Sequence, residues 1–107
     1  MITTAQTDAM LYQNAAYSID ERVQDLLARM TLAEKLAQLG SYWVYEVQDE
    51  QGFSEGKAAP LIGHGIGQIT RVGGGSTLAP QDSARMANAI QAYLINHTRL
   101  EIGRAHV

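Results

Sequence analysis

The chain has 107 residues, which suits one small domain and is too short for a two-domain machine. Its eight Lys and Arg are scattered among eleven Asp and Glu for a net charge of -3, so it has no basic footprint for nucleic acid or an anionic membrane. With no cysteine, disulfide staples, thiolate catalysis and cysteine-ligated zinc are excluded together.

The opening MITTAQTDAMLYQNAAYS lacks a basic start followed by an apolar run, and no later stretch is long enough to span a membrane. The expectation is a cytoplasmic protein with no membrane partner, in which residues 1–17 form an extended or disordered leader. Ser18-Ile19-Asp20-Glu21 then has the spacing of a capping box, and Val23, Leu26, Leu27 and Met30 follow at helical intervals, which predicts a helix over 19–30. Thr31-Leu32-Ala33-Glu34 repeats the capping spacing. Leu32, Leu36 and Leu39 mark one face before Gly40 supplies a stop.

Residues 41–47, SYWVYEV, are aromatic and β-branched enough for a strand or for the start of a packed loop, and periodicity leaves both open. Residues 48–60, QDEQGFSEGKAAP, read as a polar surface loop. Residues 63–76, GHGIGQITRVGGGS, hold six glycines in fourteen positions around one short apolar stretch, and Ile66 to Val72 reads as a buried strand followed by a turn. Pro80 sits where a helix can begin. Met86, Ile90, Tyr93, Leu94 and His97 recur at steps that predict the longest helix, over 80–97.

The glycines invite a phosphate-binding reading, which the spacing opposes. A dinucleotide fingerprint beginning at Gly65 meets Thr70 where its third glycine belongs, and one beginning at Gly63 meets Gln68. A phosphate loop ends in Gly-Lys-Ser/Thr, and the two lysines, Lys35 and Lys57, lie elsewhere. Among acids, Asp20, Glu21, Asp25 and Glu34 stand at or near helix starts, where the dipole favours them, and Asp49, Glu50 and Glu55 belong to the polar loop. His64, His97 and His106 lack the spacing of a helical metal site, so no metal or cofactor is implied. Arg71 is the notable polar side chain, since it closes a strand and opens a glycine loop, where binding residues often sit. A structural ion pair and a ligand contact both remain open for it.

Taken together, RVQDLLARMTLAEKLAQL (22–39), GIGQITRVGGGSTLAP (65–80) and ANAIQAYLINHTRL (87–100) resemble the N-terminal segment of family 3 glycoside hydrolases, the β-glucosidase and β-xylosidase group. The resemblance runs from about Tyr17 to Leu100. It implies an α/β fold, the first part of a (β/α)₈ barrel that is incomplete here, because such a barrel needs about 250 residues. On that reading the two capped helices precede the barrel, Ile66 to Val72 is its first strand and 80–97 its first helix. The resemblance also implies retaining hydrolysis of β-linked sugars from the non-reducing end, with an oligosaccharide or aryl β-glycoside as substrate. Arg71, Gly73 and Gly74 would then line or support a sugar pocket. The family's nucleophilic Asp and its acid/base carboxylate lie farther along the chain, so no residue here inherits a catalytic role.

In that family Thr-Arg-Leu is usually followed by Gly-Ile-Pro, whereas here Thr98-Arg99-Leu100 is followed by EIGRAHV. That heptapeptide is what GAG ATC GGA AGA GCA CAC GTC encodes, a string that resembles a sequencing-library adapter read in frame. Residues 101–107 are therefore expected to be non-biological, and 18–100 to be the piece of a glycosidase barrel domain. A lone first strand would leave its edge amides unpaired, which predicts a marginal or aggregating polypeptide. The rival reading is a complete small helical module that uses the Leu-rich faces of residues 19–39 against a partner protein.

Overall fold

The structure, a computed structural model, describes residues 10–73 and 79–103. The backbone divides into two units, Met1–Thr31 and Leu32–Val107.

In the first unit, helix α1 spans Ile19–Arg29 and starts as its sequence demands. The Ser18 hydroxyl accepts from the Glu21 backbone N–H at 3.1 Å while the Glu21 carboxylate accepts from the Ser18 N–H at 3.1 Å, so two donors at the helix start are satisfied reciprocally. Residues 10–13, expected to belong to an extended or disordered leader, instead carry a 3₁₀ turn at Leu11–Gln13 that packs on α1 and buries Tyr12. The Tyr12 N–H donates to Asp25 at 3.1 Å, and Arg22 Nε donates to the Tyr12 carbonyl at 2.8 Å. Residues 1–9 of that expected leader lie outside the described residues.

The second unit opens with helix α2, Leu32–Ala37, and then strand β1, Ser41–Trp43. A 3₁₀ turn at Val44–Val47 leads into a short antiparallel hairpin of β2, Gln48–Asp49, and β3, Gly52–Phe53. Helix α3, Glu55–Ile62, follows, then strand β4, Gln68–Thr70, and helix α4, Pro80–His97. The polar stretch 48–60 is thus more than a loop. The Ser54 hydroxyl accepts from the Lys57 N–H at 3.2 Å and caps α3, and Pro60 falls near the end of that helix, where it removes a single backbone donor.

The ambiguous SYWVYEV segment resolves into both of its alternatives, a strand that runs into a packed turn. β1 pairs with β4 in parallel, with Ser41 opposite Gln68, Tyr42 opposite Ile69 and Trp43 opposite Thr70. Of the strand anticipated over Ile66 to Val72, Gln68–Thr70 is a strand and has a partner, so the expectation of a lone strand is corrected, while each strand of this two-stranded sheet keeps one outer edge. Parallel neighbours need a crossover, which the hairpin and α3 provide.

Burial explains why these short elements hold. Val44, Val47, Ala58, Ile62, Ile66, Ile69, Val72, Met86, Ile90, Tyr93 and Leu94 form one core, so α4 lays the apolar stripe read from its sequence against the turn, α3 and β4. Phe53 meets Tyr93 edge-on at 5.6 Å. Two glycines of the 63–76 stretch have a positional reason. Gly65 has φ +99°, a region that suits glycine, and a Cβ on Gly67 would sit 2.0 Å from the Gln38 carbonyl oxygen.

Candidate functional site

Side chains that follow the C-terminal ends of parallel strands converge on one edge, the place where open α/β sheets bind ligands. Here the paired ends are Trp43 and Thr70, and the next residue after β4 is Arg71. The Arg71 guanidinium carbon lies 5.0 Å from the centroid of the Trp43 ring, within cation–π range. Tyr45 meets Trp43 in a T-shaped contact with centroids 5.2 Å apart. Trp43 and Tyr45 nevertheless remain 45% and 44% exposed, high for two rings already in contact with each other.

The backbone that carries these groups is held from behind. The Glu46 carboxylate accepts from the Trp43 N–H at 3.2 Å and anchors the start of the 3₁₀ turn. Lys57 reaches from α3 to donate to the Gln48 carbonyl at 2.7 Å and to the Tyr45 carbonyl at 3.5 Å. Thr70 Oγ1 donates across the ladder to the Tyr42 carbonyl at 3.5 Å. Below the edge, Val44 and Ile69 are buried, so the shelf rests on core.

Arg71 adopts φ 63°, a left-handed conformation that costs a non-glycine residue about 1 kcal/mol. Such conformations persist where surrounding structure imposes them and cluster at binding sites. Among the described residues Arg71 forms no salt bridge, and its guanidinium sits over Trp43. Gly73 is exposed, and among the described residues nothing lies within 4 Å of where its Cβ would stand. Gly74 lies outside the described residues.

The carboxylates take structural work. Asp25 pairs with Arg29 at 2.8 Å, and that side-chain hydrogen bond holds its carboxyl below the ordinary value. Glu34 is buried in a two-point contact with Arg99, and Asp49 accepts from the Gln51 N–H at 2.8 Å to close the hairpin turn. His97 stacks on Tyr93 at 5.0 Å. Among the described residues no three His, Asp or Glu side chains gather in a way that could hold a metal ion, and no helix is long and apolar enough to cross a membrane. A cleft of about 710 Å³ lies between the β2–β3 hairpin and α4, where Asp82 and Arg85 pair at 2.8 Å, and it is lined by Phe53 and Met86 among others.

The sequence singled out Arg71 but assigned nothing to Trp43 or Tyr45. The W-x-Y spacing at the end of a strand is the available signal, but its meaning depends on β4, whose paired residues lie 27 positions away in sequence.

No family model matches the chain. Over 29 residues it is 66% identical to β-glucosidase C of Emericella nidulans, a stretch that covers 27% of this chain and 5% of that protein. A probable β-glucosidase C of Aspergillus flavus is 64% identical over 31 residues, 29% of this chain and 5% of its own length. That of Aspergillus oryzae is 66% identical over 29 residues, 27% of this chain and 4% of its own. Part of this chain is β-glucosidase-like. The matched stretches span about a twentieth of the relatives' length.

Proposed function

We propose that the chain is an N-terminal piece of a retaining β-glycosidase of family 3 type, whose whole protein hydrolyses β-glucosides or β-xylosides from the non-reducing end. The observation that carries this reading is the 64% to 66% local identity to β-glucosidase C proteins. The parallel β1–β4 pair, with helices in its crossover and after it, is compatible with the opening of a (β/α)₈ barrel. In such a barrel Arg71, Gly73 and Gly74 would follow a strand on the face where sites are built.

Retaining hydrolysis needs two carboxyl groups about 5–5.5 Å apart, one as nucleophile and one as acid then base. By the resemblance both belong to later segments of the whole protein, so the chain alone is inactive. Reading the source DNA beyond codon 100 tests this. A second strand that begins with a Gly-Ile-Pro-like turn, and later a nucleophilic Asp, supports it. Aryl β-glucoside turnover by the pure chain, or a genomic EIGRAHV followed by a stop codon, overturns it.

One observation favours the rival helical module. Leu32, Leu36 and Leu39 are 72%, 57% and 84% exposed, an apolar stripe left open on and just after α2. A natural stop after Val107 together with autonomous folding would bring that reading forward.

A further inference from the structure

We infer that Trp43 and Tyr45, steadied by Arg71, form a stacking shelf for one pyranose ring of a β-glucoside or β-xyloside. The inference rests on the glycosidase reading and adds to it the residues and the kind of contact. A β-gluco or β-xylo ring carries its substituents equatorially, so both of its faces are paved with axial C–H bonds. Those weakly positive hydrogens suit the negative face of an indole, and stacking them there removes apolar area from water.

Three features of the edge fit that ligand. Trp43 and Tyr45 keep nearly half of their surface open although Trp43 ends β1 and Tyr45 lies in the turn that is buried through Val44 and Val47. The Arg71 guanidinium carbon lies over one side of the indole at 5.0 Å, a contact that restrains the ring and keeps a group made only of donors close to it, which suits hydroxyls as acceptors. Arg71 is placed there by a strained φ of 63° and, among the described residues, has no carboxylate salt-bridge partner, so its donors are not committed to an internal ion pair. The Glu46 and Lys57 contacts fix the backbone beneath both rings, which lowers the ordering cost of binding.

Ring geometry also predicts selectivity. A galactoside turns O4 axial and roughens one face, so it should stack less well than a glucoside, while a xyloside, lacking C6, should stack about as well.

Trp43 is the single tryptophan of the chain, so its emission reports this shelf alone. The full chain is titrated with methyl β-D-glucopyranoside while Trp43 emission and saturation-transfer NMR of the sugar are followed together. The expected result is a saturable emission change with the same midpoint as the NMR signal. Tyr45→Ala should weaken binding by about two- to tenfold, and Arg71→Ala by about two- to fivefold. Trp43→Phe and Arg71→Lys, followed by NMR, serve where an alanine variant loses its native circular dichroism. Sugar binding seen by NMR with Trp43 silent and Tyr45→Ala unchanged overturns the shelf and leaves the glycosidase reading standing. No binding by a folded chain also overturns the shelf, and the DNA read-through then decides the glycosidase reading by itself.

Discussion

Arg99 closes on the carboxylate of Glu34 with two donors, Nε to Oε2 at 3.0 Å and Nη2 to Oε1 at 2.5 Å, across 65 positions of sequence. Glu34 is only 6% exposed, so its charge is tolerable because the guanidinium fork matches it. The pair ties α2 to the segment that leaves α4. Removing one partner of a fully buried pair costs about 3–5 kcal/mol, but the Arg99 side chain is 55% exposed, and solvent screening reduces this. Arg99→Ala should therefore lower stability by about 1–3 kcal/mol, and Glu34→Gln, which removes the charge and keeps an acceptor, by less. Urea midpoints of the two variants check this, and equal losses would mean that charge is not what holds the contact.

Gly67 and Gly73 should respond oppositely to alanine. A Cβ at Gly67 collides with the Gln38 carbonyl at 2.0 Å, and backbone there has little room to move, so Gly67→Ala should cost at least the 1–3 kcal/mol typical of overpacking. Among the described residues nothing stands near a Cβ at Gly73, and Gly73→Ala should change stability by no more than about 0.5 kcal/mol. Thermal denaturation of both variants side by side checks the contrast.

Arg71→Gly should relieve the left-handed strain and remove the cation–π contact at once. Strain relief is worth about 1 kcal/mol and an exposed cation–π contact about 0.5–1 kcal/mol, so stability should change by less than about 1 kcal/mol while Trp43 emission shifts. A large destabilisation would show that Arg71 anchors the fold.

The start of α1 should be sensitive to acid. Hydrogen bonds from the Ser18 backbone N–H, then from its hydroxyl, hold the Glu21 carboxyl below its ordinary value. A depressed folded value means that the stabilisation is present above the unfolded value, near 4.3, and is lost as the pH falls through the folded one. Helix content of the α1 region should hold steady at neutral pH and decline as the pH drops below the ordinary carboxylate range. Ser18→Ala should lower it at neutral pH, with a cap loss of about 0.5–2 kcal/mol, and should flatten the acid response. Circular dichroism against pH for both proteins tests this.

The chain should self-associate through its open apolar stripe. Leu36 and Leu39 are 57% and 84% exposed beside Leu32, which favours association of copies in water. Sedimentation at rising concentration should show species larger than the monomer, and Leu36→Gln with Leu39→Lys should restore monomers. A wild-type chain that stays monomeric throughout would refute the idea.

Local chemistry was readable wherever neighbours in sequence decide the outcome. The Ser18–Glu21 box starts α1 because both partners lie within one helical turn, and Pro80 with the Met86, Ile90, Tyr93, Leu94 stripe fixes the extent and buried face of α4. The same local logic placed the leucines of α2 on one face but left their burial undecided, and they stay exposed, because periodicity identifies a face and says nothing about what covers it. It also marked Arg71 as a residue at the mouth of a glycine loop, and the local identity to β-glucosidase C is itself a property of the sequence.

Only tertiary structure decided what depends on distant partners. Pairing of β1 with β4 joins residues 27 positions apart, and it alone brings Arg71 over Trp43. Glu34 could be read as a helix-start carboxylate from its neighbours, but its burial and its fork with Arg99 require the chain to return to it. Gly67 is needed for the passing backbone of Gln38, a close approach that the glycine count alone does not locate. Short-range hydrogen bonds and helical spacing are encoded in adjacent residues, whereas strand partnership, burial and close backbone approach are set by which remote segments share the core.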